Sequence, residues 1–411
     1  MDSQGQDEVR TDIVAFAADK LLCVRGALHK TEFNSDEKFA IFAARLPLDF
    51  NAISTSEKAR ETKFVEKHMR ICLDVAPGFE SVTTVSASEP LLAEAAELLM
   101  RRLTSSDVPR FLLREWESGG LSKGNRGEMV AALIFLLARD RARQTSRQRY
   151  INVPAFFSAL VDEQYSPTIM NSPPFTLRMD DENKTFSDMF NKSYIWFNHF
   201  INVEDFLVIN RKHLWGFIAR GCAIICADNQ YGVDIIIPIV FGDGPLEPSK
   251  ISAIFVQVRN RRNYSTPKRE PFEDMDPWDV GMLATGDAPL PMIRILFSMD
   301  SDDPTVHVWK APERRTNPTR AAKAVPKPRG LTTYDIWLGG VSKETLSGVT
   351  TENESAWKDT LKAARDHRRD IFVSGRLRDQ AANLTRAQFP LASVHPAHWS
   401  FVREDWRPNE A

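Results

Sequence analysis

Cysteine is scarce in this chain. Four residues (Cys23, Cys72, Cys222 and Cys226) occur among 411. They form no disulfide framework, which points to a reducing compartment. Long apolar runs are missing as well. Nothing approaches the roughly 18 consecutive apolar residues of a membrane-spanning helix, and no N-terminal apolar segment resembles a secretory signal. The expectation is an intracellular protein of cytoplasm or nucleus with no membrane partner. Excess charge of either sign is absent too, since 53 Lys and Arg face 55 Asp and Glu, for a net charge of −2. No global positive field advertises nucleic acid, so local clusters must carry any such argument. The chain lacks a G-x-x-x-x-G-K-S/T loop, so nothing in it claims a P-loop NTPase, and it shows no internal repeat.

What remains is ordinary globular material. Hydrophobic residues make up 43% and charged residues 26%, and this length suits two or three domains. Residues 1–120 are expected to be mostly helical. Asp12 to Leu28 carries apolar residues at helical spacing, and Ser54 to Glu57 has capping-box spacing before a helix reaching about Leu73. Phe79 to Val85 reads as a strand. Ser88 caps a helix from Glu89 to Leu103, and Pro109 to Ser118 is another, ended by Gly119-Gly120.

The segment after it offers two motifs. Gly120-Leu121-Ser122-Lys123-Gly124 spells G-x-S-x-G, but a hydrolase elbow needs a strand before it and a helix precedes it here. Gly127-Glu128 opens Met129 to Ala138, which is apolar all round and predicts a buried helix. Residues 150–220 read as a largely helical insertion, with Phe190, Tyr194, Trp196, Phe197 and Phe200 at spacing typical of core. Cys222 and Cys226 fall on one face of a strand as small core residues. His395 and His398 have metal-like spacing with no further ligand beside them.

Three β-branched runs follow between turn residues, predicting adjacent strands at 222–227, 233–240 and 251–258. The second is apolar on both faces and belongs in mid-sheet. Polar residues within such runs need a reason. Asp234 lies just inside the second strand, while Gln257 and Arg259 close the third on one face, because strand side chains repeat every two residues. Asp234 with Gln257-x-Arg259 resembles the signature of the PD-(D/E)xK, or restriction-endonuclease-like, superfamily. That signature is an Asp on the second core strand and Glu/Gln-x-Lys on the third. Arg259 stands where the family usually has Lys. Stretches such as Glu66 to Phe79 and Ser88 to Ala96 also resemble functionally unassigned basidiomycete fungal proteins.

The resemblance implies an α/β (α+β) fold, with a mixed central sheet of about four strands flanked by helices. The nuclease-like core would span 121–300, with a fourth strand at Pro291 to Met299 and a short helix at Asp274 to Leu283. Residues 301–411 would form a basic linker and a C-terminal region of unassigned fold, with a helix near Ala356 to Arg368. The resemblance also implies a Mg²⁺ or Mn²⁺ site held by Asp234, Gln257 and Glu128, although an acidic residue in a first helical turn equally suits the helix dipole. Gln257 offers a neutral oxygen only. Arg259 supplies positive charge but cannot act as a base. Arg261, Arg262, Lys268 and Arg269 would track phosphates, as would basic runs at Arg139 to Arg149 and Lys310 to Gly330, and solvated surface charge accounts for all three equally well. Two functions follow. One is a metal-dependent nuclease acting on DNA or RNA. The other is a catalytically inactive nuclease-like fold that binds nucleic acid or protein.

Overall fold

A computed structural model describes residues 3–48, 55–67, 69–75, 82–118, 126–146, 150–175, 181, 184–203, 205–227, 230–260, 266–310 and 330–370. The N-terminal part is helical, with α1 (Ser3–Leu22), α2 (Ser35–Ala43) and α3 (Thr55–Glu66). Cys23 (φ 53°) and Gly26 (φ 72°) turn the chain after α1, earlier than the apolar spacing to Leu28 predicts. Asn34 starts α2 with a capping box, its side chain accepting from the Glu37 N–H while the Glu37 carboxylate accepts from the Asn34 N–H.

A hairpin then departs from expectation. Residues up to Leu73 were expected to be helical, yet α3 ends at Glu66 and β1 (Arg70–Val75) pairs antiparallel with β2 (Val82–Ser86). Arg70 explains the switch. Its guanidinium is buried and donates to Thr84 Oγ1 at 2.6 Å, to Leu48 O at 2.7 Å and to Ser86 Oγ at 2.8 Å, bonds that hold the strand across to its neighbour. Next come α4 (Pro90–Met100), α5 (Asp107–Glu117) and α6 (Arg126–Ser146). Pro90 sits in the first turn of α4, where its missing N–H costs nothing.

Among the described residues, the remainder builds one nine-stranded mixed sheet. Its strands are β3 (Ile151–Asn152), β4 (Ser193–Ile195), β5 (His199–Asn202), β6 (Cys222–Ile225), β7 (Ile235–Phe241), β8 (Ile251–Arg259), β9 (Met292–Ser298), β10 (Thr305–Val308) and β11 (Thr333–Gly339). Helices α7 (Val153–Leu160), α8 (Ser166–Met170), α9 (Phe186–Phe190), α10 (Arg211–Ala219) and α11 (Glu354–Asp370) complete the order. The four expected strands share this sheet, so the α+β class holds, but the sheet is more than twice the expected size. Its order is β10-β11-β9-β8-β7-β4-β3, and β6 also pairs with β7 and carries β5. The outer edge of β7 is shared, with Ile235 and Ile236 pairing to β6 and Ile239 to Phe241 pairing to β4. Pro238, which has no N–H to offer a ladder, falls in the gap between them.

Residues 150–220 therefore contribute strands β3, β4 and β5 as well as helices. Over Phe186 to Phe200 the helix stops at Phe190, and β-favouring Tyr194 and Ile195 then alternate between half-buried and buried. Residues 274–283 form turns rather than a helix. Pro277 and Gly281 (φ 91°) interrupt them, and a single 3₁₀ turn at Glu270–Phe272 precedes. Beyond 301, β11 runs parallel to β9, and α11 contributes Trp357 and Leu361 to the main core.

Two apolar cores lie on the two faces of the sheet. Ile235, Ile237, Ile254, Val256 and Val258 join the face covered by α6, while Ile236, Ala253 and Phe255 join the other, with Leu214 and Ile218 of α10. The helical part is fastened to the sheet by buried charge. Arg45, after α2, forms a bidentate pair with Asp140 of α6 at 2.6 and 2.8 Å and donates to Asn198 O at 3.0 Å. Glu97 of α4 receives Arg101, Arg139 and Arg143. Burial pushes the Glu97 carboxyl up, but the Arg139, Arg45 and Arg143 charges outweigh it and hold it at about 2.

This arrangement generates a stability prediction. Asp140→Ala leaves Arg45, which is 0% exposed, as an uncompensated interior cation. The expected loss is about 3–5 kcal/mol, read from the urea midpoint, with a smaller loss in the double variant R45M/D140L because neither charge is then stranded.

Candidate functional site

The candidate site lies where β7 begins and β8 ends. Asp234 precedes β7 and is tied into the sheet by three bonds. Its N–H donates to Val256 O (2.9 Å), its carbonyl accepts from Cys226 N–H (2.9 Å), and its Oδ2 accepts from Val258 N–H (2.6 Å). Ile235 and Val256 form the last rung of the antiparallel ladder, and Asp234 sits at a bend just before it. Alternation sends Gln257 and Arg259 to the face of Ala253 and Phe255. Arg259 Nη1 stands 4.0 Å from Asp234 Oδ2.

Electrostatically the three differ. Burial pushes the Asp234 carboxyl above the usual 3.8, even though the Val258 N–H and the Arg259 charge pull it down. Gln257 is 5% exposed, and its Oε1 is buried with no hydrogen-bond partner. An amide oxygen in that state is uncommon, because burial without a partner costs about 1–3 kcal/mol. Arg259 keeps 29% of its side chain exposed.

Glu128 reaches the same end of the sheet on the opposite face. It lies in the first turn of α6, half-buried, beside Gly127. A Cβ built on Gly127 would lie 3.7 Å from Val258 Cγ1, 3.7 Å from Asn260 Cβ and 3.4 Å from Met299 Cε. The helix start is therefore seated against the end of β8, on the face of Val256 and Val258. The fold thus brings Asp234 and Arg259 together at the end of β8 that carries Gln257, and seats the α6 backbone that carries Glu128 against Val258 of the same strand end. Among the described residues no group of three or more His, Cys, Asp and Glu side chains is positioned to hold a metal ion.

Several described members of the basic clusters are spent inside the molecule. Arg139 and Arg143 pair with Glu97 and Glu94, and Arg141 donates to Ser347 Oγ (3.1 Å). Arg269 lies 3.5 Å from Asp335 and 4.1 Å over the Phe175 ring, and burial lowers its pKa despite Asp335. Asp335 is also gripped by Arg294 at 2.6 and 2.7 Å. Lys268 is half-buried. Arg261 and Arg262, the Gly120–Gly124 motif, residues 311–329 of the basic run, His395 and His398 all lie outside the described residues.

One constellation has no signature in the sequence. Ser88 Oγ, His199 Nε2, His199 Nδ1 and Asn198 Oδ1 form a chain with links of 2.9 and 2.7 Å. Asn198 Nδ2 donates to Pro90 O (3.0 Å), so its oxygen faces Nδ1 and the proton resides there. Nε2 then accepts from the Ser88 hydroxyl. The geometry is that of a Ser-His-Asn relay, but the electrostatics are not. Burial, together with Arg45 and Arg220, pushes the imidazole down to about 3, which leaves it a poor base near neutral pH. Arg220 Nε also donates to Ser88 Oγ (3.0 Å). The relay is a structural tie joining α4 to β5 and β6. Only its through-space assembly could reveal it, since Ser88 and His199 are 111 residues apart.

His199 yields a pH prediction. Its unfolded form takes up a proton near 6.5, whereas the folded form does so only at about 3. The unfolded state therefore binds more protons in this window, so this contribution to stability is complete above 6.5 and is lost as pH falls toward 3. Urea midpoints from about pH 8 to about pH 5 should fall more steeply for the wild type than for His199→Gln.

Comparison with known proteins gives one match. A family model described as Domain of unknown function (DUF8736) matches residues 34–274. No curated protein and no solved structure matches the chain.

Proposed function

We propose, for a chain that belongs to the DUF8736 family of domains of unknown function, that the Asp234–Gln257–Arg259 end of the sheet is a divalent-metal-dependent phosphodiester site acting on DNA or RNA. The observation that carries this reading is Gln257 Oε1, an oxygen buried without a hydrogen-bond partner near the end of β8, where the Asp234 carboxylate, its pKa raised by burial, accepts from the Val258 N–H. Two hard oxygens of this kind fit Mg²⁺ or Mn²⁺, which commonly take one or two protein carboxylates and fill their other positions with water and substrate phosphate oxygens. When bound, the ion supplies charge against a phosphate oxygen and acidifies a coordinated water. The chain's own residues do the rest. Val258 N–H fixes the Asp234 carboxylate in place. Arg259, still partly exposed, holds a phosphate and offsets developing negative charge, but it takes no proton. Glu128, on the other face, serves the start of α6 and is not needed for this set.

A second reading, an inactive nuclease-like binding module, draws on a separate observation. Asp234 Oδ2 already accepts from Val258 N–H and has Arg259 4.0 Å away, so this carboxylate has partners without a metal. The two readings differ in what Asp234 is for.

Asp234→Asn separates them, because the amide oxygen can still accept from Val258 N–H. Under the catalytic reading the wild type cleaves single- or double-stranded DNA or RNA with Mg²⁺ or Mn²⁺, and the variant loses on the order of 100-fold or more. The variant should also be at least as stable as the wild type at neutral pH. A carboxylate whose folded pKa is raised weakens folding above that pKa, and the penalty fades as pH falls toward 3.8. Absence of cleavage by the wild type and by Arg259→Lys, alongside salt-sensitive binding, establishes the binding module instead.

A further inference from the structure

Tyr231 lies three residues before Asp234, in the loop that leads into β7. The residue is 58% exposed. Exposed aromatic rings are usually free to move, but this one is anchored at both ends. Its hydroxyl donates to Asp274 Oδ1 at 2.6 Å. Its neighbour Gly232 (φ 74°) is pressed so closely to the 274 backbone that a Cβ there would lie 2.0 Å from Asp274 O. No other residue fits at 232, so the loop is docked on Asp274 with the ring held outward. Only two residues separate Tyr231 from Asp234 in the chain, so the ring stands on the segment that brings the Asp234 carboxylate to β7.

We infer that Tyr231 is a stacking platform for an unpaired nucleobase adjacent to the Asp234–Gln257–Arg259 site, which makes single-stranded nucleic acid, or an unpaired segment, its substrate class. The inference rests on the phosphodiester reading above and adds the strandedness of the ligand. A pinned, solvent-facing aromatic ring accepts any base face, and its preorganisation spares the entropy of ordering a side chain on binding. Asp274 and Asp279 both act on the phenol and raise its pKa, the hydroxyl bond to Asp274 contributing most, so it stays neutral at ordinary pH. The same carboxylates repel phosphate from the hydroxyl end. The ring face therefore takes the base, and phosphate is left to Arg259. A base inside a duplex is stacked on both sides and cannot use the platform without being extruded.

The test uses the full chain in EDTA, so that nothing is cleaved, with a DNA and an RNA 12-mer each carrying one 2-aminopurine. Binding is followed by anisotropy and stacking by quenching of the 2-aminopurine. Y231A should weaken single-strand binding by about 5- to 100-fold and remove the quenching. Y231F, which loses the bond to Asp274 but keeps the ring, should retain the quenching and lose less affinity than Y231A. The duplex of the same sequence should bind independently of Tyr231. Y150A serves as control, since Tyr150 is equally exposed (58%) but precedes β3, two strands from β7, and packs edge-on against Tyr194 at 6.0 Å. Unchanged binding and quenching in Y231A overturns the stacking role while leaving the phosphodiester reading intact. Equal losses in Y231F and Y231A also overturn it, because they assign the effect to loop docking. Absence of both binding and metal-dependent cleavage in the wild type removes the two together.

Discussion

The buried ion network around Glu97 is the interaction on which the rest of the structure depends. Charges taken out of water are expensive unless each finds its partners, and an arginine with its carboxylate removed is worse than no arginine at all. Here α4 supplies Glu94 and Glu97, α6 supplies Arg139, Asp140 and Arg143, and the turn after α2 supplies Arg45. Arg45 reaches on to Asn198 O, and its own carbonyl accepts from Phe200 N–H, which locks strand β5 to the helices. Apolar contact tolerates sliding. Bidentate hydrogen bonds do not, so the network sets the register between the helical part and the sheet.

The site inherits its geometry from that register. Once α6 is seated on the sheet, Gly127 meets the end of β8, and the closing residues of β8 are held against those that open β7. Asp234 then meets the end of β8, its carboxylate held by the Val258 N–H next to Gln257 in that strand. Both are individually unfavourable. The carboxylate is partly desolvated, and the amide oxygen has no partner. Local violations of otherwise consistent polar satisfaction concentrate where a protein meets a ligand, and this end of the sheet fits that description.

Charge also shows how far composition misleads. Runs of arginine read along the chain as surface patches, yet Arg139, Arg143 and Arg269 are all committed to internal carboxylates. The reason is spacing. Arg139 and Arg143 are four apart and share one helix face, and that face happens to be turned inward against α4. A sequence gives the stripe but not the direction in which it faces.

Much of the fold was legible in the residues alone. Three β-branched runs separated by turn residues are strands whatever surrounds them, and Gln257 and Arg259 could be placed on one face from the two-residue period. The all-apolar run after Gly127 had to be a buried helix. These are short-range properties, decided by side-chain shape and periodicity. Short strands such as Tyr194–Ile195, the hairpin strand at Arg70, the sharing of β7 between β6 and β4, and the Ser88–His199–Asn198 tie were not legible. Each depends on partners far along the chain, and neither propensity nor spacing encodes which distant group will satisfy a given N–H or imidazole. The sequence by itself determined the elements and the chemistry available at the end of β8. The tertiary structure alone decided which face that chemistry shares, leaving Glu128 on the other side, because a strand presents alternate residues to opposite faces and only packing chooses what covers each.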